Sequence, residues 1–80
     1  MTNTPYTDSI REGLVALGGA DLDPAVIEAW MRLEHGTLDG LSHRQFREEI
    51  ATACACARLA GPKVNLQLAQ SYGLREGATP

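Results

Sequence analysis

The apolar positions of the chain fall into four short runs with helical spacing, each bounded by turn-forming residues. In the first, Ile10, Leu14 and Leu17 recur at i, i+4 and i+7 and predict one apolar stripe that stops at Gly18-Gly19. Ser9 and Glu12 have the spacing of a capping box, with Asp8 as a competing cap one residue earlier. Gly13 costs such a helix about 1 kcal/mol relative to Ala, so the element depends on packing. The second run opens on Asp23-Pro24, a cap residue followed by Pro at the first helical position. Val26, Ile27, Trp30, Met31 and either Leu33 or Glu34 then make a wide apolar face that ends at Gly36. Glu28 and Arg32 stand four apart and predict an ion pair on the opposite, polar side. His35 falls in the last turn, where a cation meets the negative end of the helix dipole.

Thr37 to Leu41 reads as a turn through Asp39-Gly40, pinned to the core by Leu38 and Leu41. The third run spans Ser42 to Ala60. Ser42 and Gln45 form a capping box, and Leu41 is placed to pack on Phe46 as a hydrophobic staple. Phe46, Ile50, Ala53 or Cys54, Ala57 and Ala60 continue one stripe until Gly61-Pro62 ends it. The first half of this run is charged, with Arg44, Arg47, Glu48 and Glu49. The second half, Ala51 to Ala57, holds only Ala, Thr and Cys, so other helices can approach it closely. In the fourth run Val64, Leu68 and Tyr72 share a face at i, i+4 and i+8, with Ala69 beside them and Gly73 as the stop. The alternation of Asn65, Gln67 and Gln70 with Val64, Leu66 and Leu68 also fits a strand, but a lone strand has nothing to pair with. The predicted fold is therefore all-α, a small bundle of about four short helices around a central helix at roughly 42–60. One domain covers 8–74, with a flexible lead-in at 1–7 and a flexible tail at 75–80.

Composition narrows this picture. Among 80 residues the aromatic ones are Tyr6, Trp30, Phe46 and Tyr72, so Leu, Ile, Val and Ala on closely packed helices must supply the core. A chain this short gains little from one core, and a partner subunit is one ordinary remedy. The net charge of -3 weighs against a general nucleic-acid binder and is too weak for a DNA mimic. No apolar run approaches the ~20 residues that span a bilayer, and MTNTPYTDS lacks the basic and apolar regions of a signal peptide. The expected compartment is the cytoplasm. Cys54 and Cys56, two apart, point about 200° apart on a helix, so they can neither bridge each other nor share a metal.

Candidate chemistry is sparse. His35, His43, Cys54 and Cys56 match no zinc spacing, and His43 is more than ten residues from Cys56 along one helix. Glu48 and Glu49 diverge around the same helix, and Gly18-Gly19-Ala20 lacks the lysine of a phosphate loop. No catalytic, cofactor-binding or metal-binding residue is expected, and the chain is expected not to be an enzyme. Arg44, Arg47 and Arg58 suggest a small basic stripe, interrupted by Glu48 and Glu49.

The segment Leu68 to Leu74, LAQSYGL, resembles the first half of a helix-turn-helix through Ala69, Gly73 and Leu74. The resemblance implies a DNA-binding, transcription-related module, but only REGATP follows where a recognition helix belongs. The leading expectation is instead a small regulatory or inhibitory protein of the bacterial or phage accessory type. It would act by binding another protein, with a homodimer as one form. Trp30 and Met31 on the wide apolar face, and Arg44, Arg47 and Glu48 on the third helix, are the expected contact residues.

Overall fold

Each of the four apolar runs folds as a helix. The computed structural model describes residues 4–75, and its helices are α1 (Thr7–Ala16), α2 (Pro24–His35), α3 (His43–Ala60) and α4 (Pro62–Ser71). There is no strand among the described residues, so the 64–70 segment is helical. The chain is an all-α bundle. α3 packs against the other three helices, as expected of a central helix, and so does α2. α1 and α4 flank this pair without packing on one another.

α1 begins at Thr7, two residues before the predicted Ser9 cap. A turn upstream explains the shift. The Thr4 backbone N–H donates to Thr7 Oγ1 at 2.8 Å, and the Thr7 N–H donates back to the Thr4 carbonyl at 3.2 Å. Ser9 is thus an exposed residue inside the helix rather than its cap. At the other end the Gly18 N–H donates to Val15 O and the Gly19 N–H to Leu14 O, which closes the helix with a Schellman pair. The closure comes one turn too early for Leu17 to join the core, and Leu17 is 52 % exposed. Ile10 and Leu14 are buried as predicted, and Gly13 is buried beside them.

α2 starts and stops where the sequence predicts. Asp23 Oδ1 accepts the Ala25 N–H at 2.9 Å, Pro24 follows, and Gly36 ends the helix. Its buried residues are Ala25, Val26, Ile27, Glu28, Ala29 and Met31. Leu33 is not among them. The Glu28–Arg32 pair forms at 2.8 Å, but it does not lie on a solvated side, because Glu28 is 1 % exposed. Its carboxylate accepts from Thr4 Oγ1 at 2.5 Å and from Arg32 Nε at 2.9 Å. A buried carboxylate needs such partners, and they tie the segment before α1 to the middle of α2.

Ser42 and Gln45 form the predicted capping box, and α3 buries Ile50, Ala53 and Ala57. Gly61 serves both as the end of α3 and as the start of α4, at φ 88° and ψ 164°, a region open essentially to glycine alone. α4 is rotated from its predicted face. Asn65 and Ala69 are buried and Leu68 is half-buried, while Val64 and Tyr72 are exposed. The cause is Asn65. Its Oδ1 accepts the Trp30 indole N–H at 2.9 Å and its Nδ2 donates to the Ala57 carbonyl at 2.8 Å. One amide thus joins α2, α3 and α4, and it takes the inward position that apolar spacing assigns to Val64.

After α4 the Gly73 N–H donates to Gln70 O and the Leu74 N–H to Ala69 O, a second Schellman cap with Leu74 buried. Arg75 Nε then lies 2.8 Å from Asp23 Oδ2. The rest of the predicted tail, 76–80, and residues 1–3 of the predicted lead-in lie outside the described residues. No helix among the described residues is long and apolar enough to cross a membrane.

Candidate functional site

The 18 residues of α3 divide into four sides at 100° per residue. Ile50, Ala53 and Ala57 point inward. One flank, with Arg47, Cys54 and Arg58, faces α1 and the α1–α2 connection. A Cβ on Gly19 would stand 3.7 Å from Cys54 Sγ, and Arg58 meets Asp21 through two contacts of 3.2 and 3.4 Å. The other flank, with Glu49, Thr52 and Cys56, faces α2. The outer side carries Arg44, Glu48, Ala51, Ala55 and Leu59. The small side chains of the Ala/Cys half let helices approach from several sides, and the outer side, with Ala51 and Ala55, and Thr52 beside it remain exposed.

The expected contact residues separate accordingly. Met31 is 1 % exposed and packs within the core, where it forms part of the floor of the cavity beside Trp30. Trp30 is half-buried, with its N–H already bonded to Asn65. Its ring borders a cavity of about 100 Å³ between α2 and α3, together with Leu33, Glu34, Glu49, Thr52 and Cys56. Arg44 and Glu48 pair with each other at 3.2 Å on the outer side of α3. Arg47 lies on the opposite flank from Trp30, against Gly13, Ala16 and Leu17 of the α1 region. The predicted basic stripe does not form, because Arg44 faces Glu48 and Arg58 faces Asp21.

The structure adds to the expected contact residues Leu33, which apolar spacing shared with Glu34 on the wide face of α2, and Leu59. Leu33 is 56 % exposed at the mouth of the Trp30 cavity. Leu59 is 89 % exposed, one turn beyond Cys56 on the outer side of α3. Both stand about 200° around their helices from a core residue, Leu33 from Met31 and Leu59 from Ala57. That offset is the signal that identifies them as surface residues. Glu49, which lines the cavity, lies 3.0 Å from His35 Nε2 in the last turn of α2.

Wider clefts lie elsewhere, among them one of about 400 Å³ against Asp8, Arg11, Glu12 and Val15. Another, of about 310 Å³, is lined by Leu22, Val26, Pro62 and Leu66, with Asp21, Asp23 and Arg75 at its edge. Both of its carboxylates already face an arginine. The hydrogen-bonded Arg58 guanidinium holds the Asp21 carboxyl below its ordinary range. A third, of about 350 Å³, lies against Tyr6, Leu38, Leu41, His43 and Phe46. The Tyr6 and Phe46 rings are 6.0 Å apart, and the Tyr6 hydroxyl donates to Asp39.

Among the described residues the thiols and imidazoles singled out by the sequence stand apart. Cys54 and Cys56 are free thiols on opposite flanks of α3, and burial pushes the Cys54 thiol up, away from the reactive thiolate. His43 stands at the far end of the same helix. Among the described residues no three His, Cys, Asp or Glu side chains converge as a metal site. Ala69, Gly73 and Leu74, whose spacing resembles a helix-turn-helix, take part in the Schellman cap of α4. No family model matches the chain, and neither a curated protein nor a solved structure does.

Proposed function

We propose that the chain is a small, non-enzymatic regulatory or inhibitory protein that works by binding another protein through the α2–α3 face. The observation that carries this reading is the exposure of Leu59, at 89 %, on a side of α3 whose neighbours Ala51 and Ala55 are small and uncharged. Leu33 and the rim of Trp30 extend the apolar surface onto α2. A solvated helix of a monomer has no use for such a face, whereas an interface has. Arg44 and Glu48 form its charged end. The unpaired Cys54 and Cys56 suit the reducing cytoplasm, and the reading places the chain among bacterial or phage accessory proteins.

The test is capture of partners from the native host with wild type and Leu59→Asp. A side chain so exposed contributes almost nothing to folding, so the variant should melt with wild type and lose the partner. A partner retained by Leu59→Asp, or no partner at all, overturns the reading. A second form, a homodimer across α3, is favoured by Ala51 and Ala55, which let two helices approach closely. Sedimentation equilibrium decides it: a dimer that Leu59→Asp converts to monomer supports this form, and a monomer at high concentration removes it.

A further inference from the structure

The Trp30 cavity has a feature that the exposed leucines alone do not supply, namely a charge of one sign. Its lining joins apolar Trp30, Leu33 and Cys56 with the carboxylates of Glu34 and Glu49, and no Lys or Arg lines it. The nearest arginines are occupied. Arg32 holds the buried Glu28, and Arg44 holds Glu48. Glu49 has only His35 beside it. The cavity, of about 100 Å³, has room for a single aliphatic side chain.

Resting on the protein-binding reading above, we infer that this cavity is the anchor point for an amphipathic helix of the partner. That helix inserts one Leu- or Met-sized side chain between Trp30 and Thr52 and sets Lys or Arg against Glu34 and Glu49. Three arguments select this occupant. Charge complementarity selects a cation, both locally and through the net charge of -3. The walls are helices, whose backbone groups are already bonded internally, so an extended peptide finds no edge to pair with. A groove between two helices instead accepts a third by ridge-and-groove packing, with anchors at i, i+4 and i+7. Leu59 lies one turn beyond Cys56 and receives the next apolar residue of that helix.

The probe is a short synthetic helix with Leu at i, i+4 and i+7 and Lys at its flanking positions, lacking Trp. Trp30 is the sole tryptophan, so its emission reports the cavity directly. Two controls keep the same frame, one with Glu for Lys and one with Ala for Leu. The expected result is a saturable Trp30 shift with the Leu/Lys peptide alone. Glu34→Lys with Glu49→Lys should weaken it roughly tenfold at low salt and turn the preference toward the Leu/Glu peptide. Thr52→Arg should obstruct it, and Leu33→Ala should weaken it about fivefold while leaving the fold untouched. Leu66→Ala, across the molecule, should leave it unchanged. Equal binding of the Leu/Glu or Ala/Lys peptide, indifference to Thr52→Arg and Leu33→Ala, or occupation of the face by a second copy overturns the inference. The two readings fail separately. A host partner lost by Leu59→Asp but kept by both Thr52→Arg and Leu33→Ala leaves protein binding standing and removes the groove. A partner kept by all three removes both.

Discussion

Asn65 carries more of this fold than any apolar residue of α4. It receives the Trp30 N–H and donates to the Ala57 carbonyl, so its loss strands one donor and one acceptor inside the bundle. Asn65→Ala should therefore cost about 2–3 kcal/mol in urea unfolding, while Gln67→Ala, on the exposed side, stays within about 0.5 kcal/mol. Equal effects of the two would show that the amide is not a joint. Trp30 emission should move to the red in Asn65→Ala even before unfolding, because α4 no longer holds the ring. Asp21 offers a test by pH. Arg58 holds its carboxyl below the ordinary value of 3.8, so the contact stabilises the folded chain above that value. The stabilisation is lost as pH falls through the depressed folded value. Melting curves of wild type and Asp21→Asn should differ slightly at neutral pH and converge on acidification, with the gap shrinking in high salt because the pair is exposed. A gap that widens in acid would refute the assignment. Asn65 and the buried Glu28 were illegible in the sequence for the same reason. Helical spacing ranks side chains by polarity, and it sends Asn65 outward and Glu28 to the solvated side. Only tertiary partners, the indole N–H in one case and Thr4 with Arg32 in the other, make those positions tolerable indoors.

At the scale of elements, local chemistry was legible wherever a stop or cap is written in adjacent residues. Asp23-Pro24, Ser42 with Gln45, Gly36, Gly61-Pro62 and Gly73 all act where the spacing places them. The start of α1 was not, because Ser9 and Glu12 mimic a box while the Thr4–Thr7 turn does the work. Gly13 shows how an apparent weakness becomes a packing device. Its missing side chain lets α1 cross α3 at Ile50, since an added Cβ would stand 2.6 Å from Ile50 Cδ1. Gly13→Ala gains about 1 kcal/mol of helix propensity and loses about 2 kcal/mol to overpacking, because Ile50 is 1 % exposed and its Cδ1 must turn aside within the core, a net loss of about 1 kcal/mol. Ile50→Val removes the offending methyl and costs about 1 kcal/mol alone. Together the two should cost less than their sum, by about 1 kcal/mol or more in a double-mutant cycle. Simple additivity would mean that α1 shifts away from α3 instead. The candidate site was legible only in part at this scale. The sequence pointed to α2 and the charged half of α3, but the cavity between them needs both helices in place.

For the whole molecule the decisive quantity is how its cations are spent. Of the 7 Lys and Arg residues, Arg11, Arg32, Arg44, Arg58 and Arg75 each face a carboxylate within 4.0 Å, with Asp8, Glu28, Glu48, Asp21 and Asp23 as partners. Among the described residues that leaves Arg47, on the α1 side of α3, and Lys63, at the start of α4, without an ion pair, and the two do not combine into one face. A polyanion gains affinity by releasing counterions against clustered cations, and here five of the guanidinium groups already stand beside a carboxylate. The chain should therefore pass through a heparin column at low salt and bind an anion exchanger. Retention on heparin that weakens steeply with salt would restore the nucleic-acid reading suggested by Ala69, Gly73 and Leu74. The same accounting bears on the protein partner. With Arg32 and Arg44 paired in place, the acidic rim of Glu34 and Glu49 keeps its field, and raising the salt should slow partner association more than it speeds dissociation. An interface carried by Leu59 and Leu33 without those carboxylates would show the same association rate across that range of salt.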